Sequence, residues 1–200
     1  MSGQTLFITL VASILIFIVL SRYSKQRKRK KIMSQETPKE WNLIIKRNIP
    51  IYEQLPKELQ EKLLRLMKVF VAEKNFEGCG GLKITEEIKV TIAAQACLLI
   101  LNKKSDLYPN LDSILVYPSS YSAKDIEAVT YGTYIVKESA RIGESWKHGI
   151  VVLAWDHVKN GALDIDDGHN VVLHEFAHQL DGEPSRPSSY ITWARILCRE

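Results

Sequence analysis

Cysteine is scarce in this 200-residue chain, and the three that are present stand at unrelated spacings. So few cysteines cannot build the paired framework of a disulfide-stabilised miniprotein, and they favour a reducing compartment. Ten glycines and seven prolines are also too few for a collagen-like fibre or a low-complexity linker. With 46% hydrophobic and 25% charged residues, the composition is that of one globular domain with a core and a short appendage.

Acidic residues are absent from residues 1–31, which carry seven lysines and arginines. The rest of the chain has 20 basic and 23 acidic residues, a formal net charge of −3. The formal net charge of +4 for the whole chain is therefore a property of its N-terminal segment. A domain that binds nucleic acid needs a basic face, so we expect no direct nucleic-acid binding.

An apolar run from Leu6 to Leu20 contains no charge. As a helix, the uncharged stretch 5–21 is about 25 Å long, close to the bilayer core of about 30 Å. A cleaved signal peptide needs basic residues before the apolar run and a small-residue cleavage site, and this chain has neither. A buried core helix is the other alternative, but such a helix is rarely apolar all round at the N-terminus. We therefore predict a membrane anchor through residues 5–31.

The basic residues all follow the apolar run, from Arg22 to Lys31. Basic flanks stay in the cytoplasm, which predicts a single-pass protein of the cytoplasmic (inner) membrane with its domain facing the cytoplasm. Beside an apolar span, such a run favours contact with anionic lipid over nucleic acid.

The remaining chain predicts a linker and then a folded domain. Residues 1–31 form the anchor and its basic segment, the polar residues 32–40 the linker, and residues 41–200 the domain. Helices, then short strands, then a last helix indicate an α+β fold. The predicted helices are 57–74, 86–101 after a Thr85 cap, and 169–180 after an Asp167 or Gly168 cap; the predicted strands are 113–117, 132–136 and 150–155.

The last predicted helix carries an H-E-x-x-H pentad, from His174 to His178. Residues four apart share one helical face, so both imidazoles can reach one Zn²⁺ ion. Glu175 is displaced by one residue and can instead take a proton from a zinc-activated water, which then attacks a carbonyl. Chance rarely produces this spacing in a chain with five histidines.

A third metal ligand is not evident from the sequence. Asp181 lies two turns after His174, where it suits a hydrogen-bond partner of a ligand histidine, a substrate contact, the third ligand, or simply a helix end. Glu183 and Glu200 are the only glutamates downstream, and neither position is convincing. We therefore expect a domain that is truncated at its C-terminus.

The segment GHNVVLHEFAHQLD (168–181) resembles the active-site segment of the Mlc titration factor A family of zinc-dependent peptidases. Four further segments resemble the same family: EKNFEGCGGL (73–82), VTIAAQACLLILN (90–102), SILVYPS (113–119) and GESW (143–146).

The resemblance implies a zincin-like fold of the kind whose third ligand is a glutamate. It implies His174 and His178 as zinc ligands, Glu175 as the catalytic base, and aminopeptidase-like activity on peptide substrates. It also implies that the strand 150–155 pairs with an extended peptide, although its apolar side chains equally suit a plain core strand.

Two functions of different classes follow. The first is a membrane-anchored cytoplasmic zinc peptidase. The alternative is a regulatory protein that sequesters a transcriptional repressor of the Mlc type, with weak or no hydrolysis. A missing third ligand favours the alternative if the natural chain stops at Glu200, and the peptidase if it continues.

Overall fold

The computed structural model describes residues 3–102, 106–119, 126–129, 133–136, 149–163 and 170–181. The chain divides between Glu36 and Thr37 into two compact units.

The first unit is a helix, α1 (Gly3–Ser34). It is the one described helix that is long and apolar enough to cross a membrane, judged by length and composition alone. None of its residues is buried, and even Phe17 is 73% exposed. The helix continues through the basic residues into the predicted linker, whose residues 32–34 are helical; only residues 35–38 separate it from the next helix.

Helices dominate the first half of the second unit. The longest helix described in this unit begins at residue 57, as predicted, directly after Pro56, and the side chain of Thr85 accepts a hydrogen bond from the backbone N–H of Ile88. The helix after Thr85 ends two residues earlier than predicted, at Leu99. The elements are α2 (Lys39–Asn48), α3 (Ile51–Gln54), α4 (Lys57–Glu73), β1 (Asn75–Gly78) and α5 (Glu86–Leu99).

Three parallel strands form the main described sheet, in the order β1, β2 (Ser113–Tyr117) and β5 (Ile150–Ala154). Strand β2 has the predicted bounds, whereas β1 was not predicted. The predicted strand 150–155 ends one residue early, because Trp155 already begins the next helix.

An antiparallel pair consists of β3 (Ile126–Val129) and β4 (Thr133–Val136). The sequence predicted β4 from residue 132, which lies outside the described residues, and did not predict β3. The mixture of helices and strands expected from the sequence is thus confirmed, but the parallel pairing of β1, β2 and β5 was not anticipated.

The last two described helices are α6 (Trp155–Leu163) and α7 (Val171–Asp181). The sequence predicted that the last helix begins at about residue 169; in the structure it begins at Val171, directly after Asn170. The Asn170 side chain accepts a hydrogen bond from the N–H of Leu173 at 2.9 Å, which makes it the cap. Asp167 and Gly168, the predicted caps, lie outside the described residues.

Helix α5 lies at the centre of the second unit, packed against α2, α4, α6 and α7. All of its apolar residues except Leu98 are buried, and burial raises the pKa of the Cys97 thiol, so this cysteine remains a neutral core residue. Beside α5, an aromatic cluster joins α4 to α7. It consists of Phe70, Phe76, Tyr108 and Phe176.

Candidate active site

Helix α7 brings two imidazole nitrogens to one point. The Nε2 atoms of His174 and His178 are 3.2 Å apart, and the ring planes are nearly perpendicular, at 86°. This approach follows from the spacing of four residues, which places both side chains on one helical face. A hydrogen bond between the rings would give the same distance, so the chemistry of the pair depends on what else the two nitrogens can bind.

The pair fits a zinc ion. Two histidine ligands at about 2.0–2.1 Å from a tetrahedral zinc have their nitrogens about 3.3 Å apart. The observed 3.2 Å matches this separation. Both nitrogens can then present lone pairs to one ion, whereas a hydrogen bond between them requires one to be protonated.

Glu175 lies beside the pair, and its side chain is less exposed to solvent than that of His174. Its side chain is 13% exposed, against 41% for that of His174, and its Oε1 atom is 4.0 Å from the Nε2 of His174. At this distance the carboxylate is outside hydrogen-bonding range of the imidazole but within reach of a group bound between them. The geometry thus sets the two imidazole nitrogens apart from an adjacent carboxylate.

The second ring nitrogen of His178, Nδ1, bears on how the ring is held. This atom is buried and has no hydrogen-bond partner among the described residues. A metal-binding histidine usually donates its second N–H to a carboxylate or carbonyl oxygen, which fixes the ring. Asp181 was predicted as one candidate partner; the structure describes its backbone at the end of α7 but not its side chain.

The apolar residues of α7 fix the helix in the core. Val172, Phe176 and Ala177 are fully buried, while the two histidines and Glu175 are half-buried. The ring centroid of Phe176 is 4.9 Å from that of Tyr108, whose hydroxyl donates a 2.6 Å hydrogen bond to the carbonyl oxygen of Ala96 on α5. The functional face of α7 is therefore held by packing on its opposite side.

No group of three histidine, cysteine, aspartate or glutamate residues that could hold a metal occurs within the described ranges. Glu183 and Glu200, together with His148 and His169, lie outside those ranges. His157 lies half-buried on α6. The structure thus brings His174, Glu175 and His178 together and leaves the third ligand unassigned.

Sequence reasoning missed two residues that support the site, Gln95 and Asn170. Both amides are buried and joined by a 2.7 Å hydrogen bond. The preference of asparagine for helix caps was a usable signal for Asn170. Gln95 lies in an almost wholly apolar helix, and a buried glutamine there requires a polar partner.

The chain belongs to the family of glucose-regulated metallopeptidases M90, whose model matches residues 23–189. The match covers the histidine pair and Glu175, and it makes this a metallopeptidase-family protein, which implies a metal cofactor. The resemblance inferred from the sequence is thereby confirmed.

Three relatives are similar to this chain over about two thirds or more of its length. Mlc titration factor A of Cronobacter sakazakii is 30% identical over 138 residues, and that of Klebsiella pneumoniae is 31% identical over 138 residues. Each alignment covers 66% of this chain and 49% of the relative, so the chain spans about half the length of these relatives. The uncharacterized protein slr2042 of Synechocystis sp. is 34% identical over 212 residues, covering the whole of this chain and 76% of the relative.

Proposed function

We propose that this protein is a membrane-anchored, zinc-dependent peptidase that hydrolyses peptides at the cytoplasmic face of the membrane. The observation that carries the proposal is the 3.2 Å approach of the Nε2 atoms of His174 and His178, with Glu175 beside them. The family match supports a metallopeptidase, and the histidine donor set favours zinc among its metals.

When bound, zinc supplies a Lewis acid that polarises the peptide carbonyl and lowers the pKa of a water. His174 and His178 would hold the ion, since their Nε2 atoms approach each other. The carboxylate of Glu175 takes a proton from the attacking water and transfers it to the leaving amine. The low exposure of Glu175 excludes bulk water from this proton acceptor, which strengthens its electrostatic interactions.

We further propose a zincin-like fold for the domain. Support comes from the helix that presents the pentad and from its packing beside a sheet, with α7 in contact with β5. A carboxylate completes the zinc site in this proposal. Asp181 is one source of that carboxylate, and a glutamate after residue 181 is the other.

The peptide substrate is proposed to pair with β5. This strand is the last in the order β1, β2, β5 of the described sheet, and it contacts the pentad helix α7. Its residues from Val151 to Ala154 are buried, so the strand also serves the core. Backbone pairing provides affinity with little side-chain preference, which suits the aminopeptidase-like activity proposed from the family resemblance.

Metal removal tests the peptidase proposal. The protein purified in detergent should contain nearly stoichiometric zinc and release amino acids from unblocked peptides. A chelator should remove the metal and reduce hydrolysis at least about 100-fold, because water activation depends on the ion. Added Zn²⁺ should restore the rate.

Blocking the substrate's N-terminus separates the two parts of the proposal. An aminopeptidase loses activity on the blocked peptide, whereas an endopeptidase retains it. Hydrolysis that persists in metal-free protein would contradict the zinc mechanism altogether.

The anchor proposal concerns α1 alone. The hydroxyls of Thr9, Ser13 and Ser21 donate to backbone carbonyls three or four residues earlier, so none requires water. As a 32-residue helix, α1 is about 48 Å long, enough to cross a bilayer core of about 30 Å and extend beyond it. Its basic C-terminal part would then lie at the cytoplasmic surface, close to anionic lipid.

Protease accessibility tests the predicted topology. Protease added outside intact spheroplasts should leave the domain undigested, because the basic flank holds it in the cytoplasm. Lysed spheroplasts provide the control, in which the same protease should digest the domain. Digestion from outside in intact cells would reverse the topology.

A repressor of the Mlc type is a proposed partner, because the relatives are named for the titration of Mlc. We favour peptidase activity over repressor sequestration as the main function. Sequestration does not require the arrangement of His174, His178 and Glu175, whereas hydrolysis does.

A further inference from the structure

Two buried amides connect α7 to the helices behind it. Gln95, on α5, is completely buried, and Asn170, just before α7, is 5% exposed. The Nδ2 atom of Asn170 donates to the Oε1 of Gln95 at 2.7 Å and to the backbone oxygen of Gly161 at 2.5 Å. A single side chain thus joins the start of α7 to both α5 and α6.

Asn170 also contacts the first turn of α7 directly. Its Oδ1 atom accepts the N–H of Leu173 at 2.9 Å, and its backbone oxygen accepts the N–H of His174 at 3.1 Å. The residue that is tied to α5 and α6 is therefore hydrogen-bonded to the backbone of a metal-binding residue.

Gln95 is fixed just as firmly. Its Nε2 atom donates to the backbone oxygen of Thr91 at 3.2 Å and to that of Val158, on α6, at 3.4 Å. All four amide hydrogens of Gln95 and Asn170 therefore have acceptors. A buried polar network in which every donor is satisfied is rigid and specifies one arrangement of the elements that it joins.

Gly161 permits this close approach of α6 and α7. A Cβ atom at position 161 would lie 2.9 Å from the Cα atom of Asn170 and 3.3 Å from its Cγ atom. Real Cβ atoms essentially never approach another heavy atom within 3.0 Å, so the 2.9 Å distance to the Cα atom means that a larger residue at this position would displace Asn170. The absence of a side chain at Gly161 therefore leaves room for Asn170.

We propose that Gln95 and Asn170 are positioning residues that set the orientation of His174 towards the metal. The role in metal binding rests on the proposed zinc peptidase function. The amide pair holds the first turn of α7 from two sides, while aromatic packing holds the helix further along at Phe176. Loss of the pair should leave α7 folded but let its first turn shift, moving the Nε2 of His174 relative to that of His178.

The test compares Asn170→Ser with Asn48→Ser in the full chain. Serine at position 170 retains a capping oxygen but loses both amide donors. Asn48 is the matched control, because it is also a buried amide bonded to α5, through the Thr91 hydroxyl at 2.8 Å and the Glu87 carboxylate at 3.0 Å. Both substitutions should lower the unfolding temperature.

Metal binding is the measurement that distinguishes the two variants. We expect Asn170→Ser to weaken Zn²⁺ binding about tenfold, the lower end of the effect of residues that orient metal ligands. It should also change the visible absorption spectrum of the Co²⁺-substituted protein. Asn48→Ser should leave the spectrum unchanged and the affinity within about twofold. Equal affinities and spectra in the two variants would overturn the proposal.

Hydrogen exchange in the metal-free protein provides a second measurement. The amides of Leu173 and His174 should exchange about tenfold faster in Asn170→Ser than in Asn48→Ser, because local opening of the first turn becomes easier. If the wild-type protein binds no zinc but this difference is present, the proposed peptidase function fails and the role in orienting a metal ligand fails with it, whereas the amides still hold the first turn of α7. If zinc binds normally but exchange and affinity match the control, the positioning role fails alone.

Discussion

Glu175→Gln is expected to reduce peptide hydrolysis by about 10²- to 10⁴-fold, the usual contribution of a general base, while metal content stays unchanged. The amide has nearly the same shape as the carboxylate but cannot take a proton from water. Metal binding should survive, because the Nε2 atoms of His174 and His178 are the two atoms that approach each other, and the Glu175 carboxylate lies 4.0 Å from the Nε2 of His174.

The measurement is the rate on an unblocked peptide, together with metal content by elemental analysis. Glu58→Gln provides the control, because Glu58 is an exposed residue in the first turn of α4 and should keep full activity. A parallel loss of zinc in Glu175→Gln would show that Glu175 holds the metal or the helix instead of acting as a base.

The pentad and the helix that carries it could be predicted from the sequence, because both depend on local spacing. Residues four apart meet on any helix, so the approach of His174 and His178 follows from their positions alone. The start of α4 after Pro56 and the cap at Thr85 were predicted for the same reason. Each needs only the chemistry of neighbouring residues.

What the sequence did not predict depends on contacts between distant segments. Strand β1, with its sequence NFEG, has no alternation of apolar residues and forms by parallel pairing with β2. Helix α7 begins at Val171 and not near residue 169 as predicted, because Asn170 caps the helix and its side chain bonds to Gln95, 75 residues earlier. Such a partner is not visible in a local pattern.

The third ligand of the proposed zinc site could not be predicted for the same reason. A carboxylate that completes a zinc site can come from any later segment that folds back over the helix, so spacing does not identify it. Asp181 remains a predicted hydrogen-bond partner or ligand on spacing alone. Asp181→Asn distinguishes these roles, since a lost ligand should weaken zinc binding more than a lost hydrogen-bond partner.

Replacing both His174 and His178 with alanine is expected to abolish stoichiometric zinc binding, and each single replacement should weaken it at least about 100-fold. The reason is that the free energy of zinc binding is shared among a few ligands, and each imidazole supplies a large part of it. Hydrolysis should fall with metal content. Isothermal titration with Zn²⁺ and elemental analysis would measure the change.

His157→Ala is the matched control for this experiment. It removes an imidazole from α6 that is half-buried like those of the pair but lies outside the H-E-x-x-H pentad. If its zinc content fell as far as that of the double variant, the metal would not be bound by the pentad. If the double variant retained zinc while His157→Ala also did, the 3.2 Å approach of the two Nε2 atoms would be a hydrogen bond between the rings, and the assignment of the site would have to be abandoned.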